Sequence, residues 1–117
     1  MELKELNKEK VCNVLNQIME FELAGVVRYT HSSLMIVGPH RIPIVKFLQE
    51  QASESLTHAQ TAGEFLTGLD GHPSQKISDI LETNDHSIKG ILEESLEHEM
   101  AALELYKELL TTVSYTH

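Results

Sequence analysis

Glycine and proline are scarce in this chain, and they are bunched. All three prolines and half of the six glycines fall in two short stretches, GPHRIP (Gly38–Pro43) and GLDGHPS (Gly68–Ser74). Because these two residue types punctuate local structure most strongly, the chain divides into three long uninterrupted segments. The first runs from about Asn7 to Val37 and the second from about Ile44 to Leu69. The third begins near Asn84 or Asp85, either of which is a candidate N-cap, and continues to about Thr112. Long segments with helical periodicity and few strand signals predict an all-α antiparallel bundle. The polar connection from Gly68 to about Asn84 is long enough to cross that bundle end to end.

Each segment carries an apolar stripe at helical spacing. In the first it passes through Val11, Val14, Leu15, Ile18, Met19, Leu23 and Val26, with Glu22 inside it. In the second it passes through Phe47, Leu48, Gln51, Ala62, Phe65, Leu66 and Leu69, with Glu54 and His58 about one turn apart on the same face. In the third it passes through Ile88, Ile91, Leu92, Leu96, Met100, Leu103, Tyr106 and Leu110, with Glu99 inside it. Each helix is thus expected to place a carboxylate where the pattern asks for an apolar residue. An unpaired buried carboxylate costs several kcal/mol, on the order of the whole stability of a small domain. Three of them call for a compensating cation.

Composition narrows the partners. A chain of 117 residues with 41% hydrophobic content builds one modest core, hence one domain. Eighteen acidic against nine basic residues give a net charge of -9, which argues against nucleic acid and anionic membranes. No stretch approaches the roughly 20 apolar residues of a membrane span, and MELKELNKEK has no signal-peptide core. The lone Cys12 excludes an intrachain disulfide and reads as packing. The chain is expected to be soluble and cytoplasmic.

Two repeats compete for attention. ESLTH (Glu54–His58) returns as ESLEH (Glu94–His98), but only over five residues. Laid over the third segment in the register that pairs Val11 with Ile88, the first segment also pairs Leu15 with Leu92, Met19 with Leu96, Glu22 with Glu99, Gly25 with Ala102, Val26 with Leu103 and Tyr29 with Tyr106. This longer repeat covers a whole helical face. It sets His98 against Phe21, so Glu54 and His58 are candidate ligands and Glu94 and His98 are not. A partner for the second helix in the same register would lie beyond the end of the chain.

FELAGVVRY with Glu22 and Tyr29, ESLTHA with Glu54 and His58 followed by GHP (Gly71–Pro73), and EHEMAALELYKE with Glu99 and Tyr106 resemble the ferritin-like superfamily, and most closely bacterioferritin, from about Leu15 to Leu110. The resemblance implies a carboxylate-bridged di-iron bundle with Glu22 and Glu99 as ligands on the first and third helices, Glu54 and His58 on the second, and Tyr29 beside the centre. Three departures stand out. The family's Glu-x-x-His places an acid where Ser55 stands. Leu56 replaces the haem-ligating methionine, which argues against haem. The fourth helix is absent. VSYTH (Val113–His117) also matches what one reading frame of a transposon end used in sequencing-library preparation encodes, so residues 113–117 are expected to be a non-native tail on an incomplete ferritin-like domain of residues 1–112.

Carboxylates with one histidine per metal suit Fe(II) and Fe(III) better than calcium or a thiol-preferring metal. The resemblance implies ferroxidase activity, oxidation of Fe(II) to Fe(III) by dioxygen or peroxide, feeding iron storage in a homo-oligomeric shell. Two alternatives stay open: a di-iron oxidase or peroxidase that stores nothing, and a non-catalytic three-helix piece that associates with another copy. Tyr29 and Tyr106 are packing residues as readily as redox participants. His31, His40, His72 and His86 near turns and helix ends read as surface residues, and Met35 and Met100 as filling.

Overall fold

The computed structural model describes residues 5–81, 83 and 85–114. Among them the chain forms three helices and no strand: α1 (Glu5–Met35), α2 (Arg41–Gly68) and α3 (Ile88–Ser114). The expected breaks are where the helices end. Gly38 adopts φ 109° in the α1–α2 turn, and Pro43 sits in the first turn of α2, where its missing N–H costs nothing. The end of α2 is closed by Asp70 at φ 64°, with Gly71 N–H donating to Leu66 O at 2.9 Å and Asp70 N–H to Thr67 O at 3.0 Å. This paired pattern satisfies two carbonyls that the helix end would otherwise leave open.

Helix α1 is the hub. Met19 lies beside Gly63 and Glu22 beside Ser55, so α2 runs antiparallel to α1. Tyr29 reaches Glu99 and Glu22 is reached by Tyr106, so α3 is antiparallel to α1 as well. Two helices antiparallel to a third run parallel to each other, and the chain must therefore travel the length of the bundle between them. It does so along α1. Asn16 Nδ2 donates to His72 O at 3.1 Å, Ser74 N–H donates to Asn16 Oδ1 at 2.8 Å, and Ser78 N–H donates to Glu20 O at 3.1 Å.

One cluster of the core gathers Val11, Val14, Leu15, Ile18 and Met19 of α1 against Ala59, Ala62 and Leu66 of α2. A second gathers Tyr29 and Ile36 with Val45, Leu48 and Ile91. The stripe expected on α1 is buried from Val11 to Met19 and partly buried at Leu23 and Val26. The stripes expected on α2 and α3 are fully buried only at Leu48, Ala62, Leu66 and Ile91 and otherwise need correction. The buried face of α2 is Val45, Leu48, Ser55, Ala59, Ala62 and Leu66, while Phe47 and Phe65 are exposed. The buried face of α3 is Gly90, Ile91, Ser95, His98 and Ala102, while Leu92, Leu96, Met100, Leu103 and Leu110 are exposed. Many of the burying positions, Ser55, Ala59 and Ala62 on α2 and Gly90, Ser95 and Ala102 on α3, hold small residues, which allow close helix approach and carry little hydropathy signal. The larger apolar residues occupy a second face, turned toward the open side of the bundle.

The start of α3 also differs from expectation. Ser87 is the cap: its Oγ accepts from Gly90 N–H at 3.0 Å, and Asp85 in turn accepts from the Ser87 N–H and hydroxyl. Those bonds, the side-chain one first, hold the Asp85 carboxyl below its ordinary range. Asn84, the other candidate, lies outside the described residues. Of the C-terminal five, Val113 packs against the first core cluster and Ser114 ends α3. No helix is long and apolar enough among the described residues to cross a membrane.

Candidate functional site

Glu22 is the only one of the three expected buried carboxylates that is buried, at 1% exposure. It lies on α1 within the apolar stripe, and donors from both other helices converge on it. Oε2 accepts the hydroxyl of Tyr106 at 2.7 Å and lies 2.7 Å from Nδ1 of His58. Oε1 accepts the hydroxyl of Ser55 at 3.3 Å. A buried carboxylate is tolerable only when its lone pairs are met in this way. The cation inferred from the sequence is thus not required to keep Glu22 inside, because neighbouring hydroxyls and an imidazole already serve it.

Glu99 and Glu54 are exposed. Glu99 accepts the Tyr29 hydroxyl at 2.5 Å, and the same hydroxyl lies 3.4 Å from Ser95 O. The long repeat is therefore realised as an exchange: each repeat tyrosine bonds the glutamate of the other helix. Burial first, then the carboxylate partner, pushes both phenols far above the ordinary tyrosine value. Both hold their protons throughout the physiological range.

Helix geometry explains the placement of Glu54. Successive residues turn by about 100°, and the direction of α1 from α2 is set by Leu48, Ser55, Ala59, Ala62 and Leu66. Ser55 points along it. His58, half-exposed, sits at the edge of that face, and Glu54 lies about 100° away from Ser55. Glu54 shares the open face with Phe47 and Phe65 and borders a shallow surface groove with Lys46, Glu50 and Ser53. Of the expected set, Glu22 and His58 are brought together, Glu99 is joined to Tyr29, and Glu54 is joined to neither. Ser55 and Tyr106, which the sequence marked without making them ligands, join the site by donating to Glu22. The repeat that pairs Tyr106 with Tyr29 was the available signal for one; the run of small residues through Ser55, Ala59 and Ala62 was the signal for the other.

Behind this network lies His98, 6% exposed. Its ring stacks on Phe21 with centroids 4.1 Å apart and meets Tyr29 edge-on at 5.6 Å. Its buried Nε2 has no hydrogen-bond partner among the described residues. Burial lowers its pKa, with Arg28 adding to the effect. The space is tight: a Cβ on Gly25 would stand 2.6 Å from Ser55 Oγ and 2.7 Å from His98 Nε2. Only glycine allows these side chains to approach α1 so closely.

A family model matches the sequence over most of its length. That model is the ferritin-like domain, and the match spans residues 12–114. The chain belongs to the ferritin-like domain family. No curated protein and no solved structure matches it. Ferritin-like proteins generally bind iron and form oligomers.

The donors in this ferritin-like chain are oxygen and imidazole nitrogen, the chemistry that iron prefers. Their number falls short of a two-iron centre. Among the described residues no group of three or more His, Cys, Asp or Glu side chains comes together: α1 and α2 contribute one carboxylate and one imidazole, and α3 contributes one carboxylate across from them.

Proposed function

We propose that this chain is an iron-handling subunit of bacterioferritin type, with Fe(II) as the substrate that is oxidised to Fe(III) and stored. The reading is carried by Glu22, buried and met by His58 from α2 and Tyr106 from α3, with Glu99 and Tyr29 repeating the arrangement. Glu22 and His58 offer oxygen and nitrogen donors from opposed helices, and Glu99 offers a third donor at the edge of the open face. Tyr29 and Tyr106 hold the two carboxylates in place and keep their own protons.

A fourth helix belongs to this reading. Leu15 and Met19 of α1 are buried, in a cluster that includes Ala59, Ala62 and Leu66 of α2. Their repeat partners, Leu92 and Leu96, stand exposed on α3 beside Leu103 and Leu110. An α2-like helix laid on this face would give α3 what α2 gives α1, and would bring further ligands to the open side of Glu99 and His58. Leu56 stands where the resemblance would put a haem-ligating methionine and offers haem no ligand there.

The test is Fe(II) oxidation followed by ferric absorbance. Glu22→Gln and Glu99→Ala should each abolish the rapid phase, and unchanged kinetics in both would end the ferroxidase reading. Iron loading separates storage from oxidation alone, because a storage protein accumulates ferric ions far beyond the number of its binding sites.

The exposed face supports a second reading. Contiguous apolar surface of this kind marks an interaction site, and a 117-residue chain that is itself the product would cover it by associating with another copy, without catalysis.

A further inference from the structure

The core-facing position of α2 nearest to Glu22 holds a hydroxyl. Ser55 is 2% exposed, its Oγ is 3.3 Å from Glu22 Oε1, and it precedes His58 by nearly one turn, so that the two side chains flank the same carboxylate. A neutral hydroxyl is a weak ligand for a divalent cation, whereas a carboxylate there would supply a charged oxygen on the side of Glu22 opposite His58. Glu54 is no substitute in this geometry, because it lies about 100° round the helix on the open face.

We infer that Ser55 limits the metal capacity of the α1–α2 pair, leaving it a weak divalent-cation site of one carboxylate and one imidazole. The surroundings support a neutral group at this position. Ser55 Oγ and His98 Nε2 both crowd the point where a Gly25 side chain would begin, and the ring of His98 is held by Phe21 and Tyr29. The groups gathered round Ser55 are thus an imidazole and, behind it, a phenyl ring and a phenol. A hydroxyl donating to Glu22 stabilises the carboxylate in the absence of metal, so Ser55 trades metal affinity for a site that stands without it. The inference rests on the iron-handling reading above, since it takes Glu22 and His58 as the residues that meet the cation.

The experiment is a calorimetric titration of the 117-residue chain with Co(II), a spectroscopic stand-in for Fe(II), with visible d–d absorption and the thermal midpoint read in parallel. Ser55→Glu should tighten Co(II) binding at least about tenfold over the unsubstituted chain, change the d–d spectrum, and raise the thermal midpoint on Co(II) addition by more than in the parent. Ser55→Gln, of equal length and uncharged, should do none of these. Equal affinities in the parent and Ser55→Glu would overturn the inference. So would a Co(II) affinity in the parent that falls when Glu54 is changed to Gln, because Glu54 would then be supplying the acid. If neither position-55 variant folds, with or without Co(II), Ser55 is there for packing and the inference also fails. Loss of the whole iron-handling reading is a separate result: Co(II) affinity indifferent to Glu22→Gln and His58→Ala in both the parent and Ser55→Glu.

Discussion

The hydroxyl of Tyr106 donates a 2.7 Å hydrogen bond to Oε2 of Glu22, tying the far end of α3 to the middle of α1. Because Glu22 is buried, Tyr106→Phe leaves one of its oxygens short of a donor and should destabilise the chain by about 1–3 kcal/mol. Tyr29→Phe breaks the reciprocal bond to Glu99, but Glu99 is exposed and water replaces the donor, so the loss should be smaller, about 0.5–1.5 kcal/mol. Urea denaturation of the two variants checks this order. A larger loss for Tyr29→Phe would contradict the burial difference between the two glutamates.

The raised phenol pKa values give an alkaline signature. A group whose pKa is higher folded than unfolded adds stability that is complete below the unfolded value, here 10.0, and is lost as pH climbs above it. Tyr29 and Tyr106 should therefore stay protonated until the chain unfolds, and stability should fall steadily above about pH 10. Ultraviolet titration of tyrosinate against a helix signal reads both. Smooth ionisation of all the tyrosines near pH 10 in a fully helical chain would be the contrary result.

Two glycines inside helices should respond oppositely to alanine. At Gly25 the new methyl would meet Ser55 and His98 well inside contact distance, and overpacking should cost about 1–3 kcal/mol despite the better helix propensity. At Gly63 the nearest atom would be Met19 Sδ at 3.4 Å, close to ordinary contact, and Gly63→Ala should be neutral or stabilise by up to about 1 kcal/mol. Thermal midpoints of the pair, measured side by side, decide it.

The apolar open face should drive concentration-dependent self-association. Leu96 is 61% exposed and Leu103 53% exposed, and replacing both by Lys should shift the 117-residue chain toward monomer in sedimentation velocity while leaving its helix content unchanged. No shift, or a chain that is monomeric before substitution, would count against association through this face.

The three helices and their breaks were legible because glycine and proline are so few, and Glu22 was legible because its neighbours on α1 are large and apolar. The faces of α2 and α3 were not. Counting hydrophobic residues finds the heavier stripe, yet Ser55, Ala59 and Ala62 of α2 and Ser95 and Ala102 of α3 are buried precisely where small size permits close approach, while Phe65, Leu96 and Leu103 are left outside. The same displacement separates Ser55 from Glu54. A single step along a helix turns a side chain by about 100°, and a sequence pattern that tolerates either residue cannot say which of them faces Glu22. The reciprocal bonds between tyrosines and glutamates were implicit in the repeat, but they needed the antiparallel arrangement of α1 and α3 to become visible.

The arrangement of α2 and α3 around α1 also bears on the order in which the chain folds. The α1–α2 hairpin closes across a short turn and buries most of the first core cluster, so it is a local unit that should form early. Docking of α3 waits for the intervening segment to find its anchors at Asn16 and Glu20, a non-local step that pays its entropy before its contacts repay it. Amide exchange should accordingly be slower in α1 and α2 than in α3, and a chain arrested before that docking would be a helical hairpin with Glu22 still waiting for Tyr106.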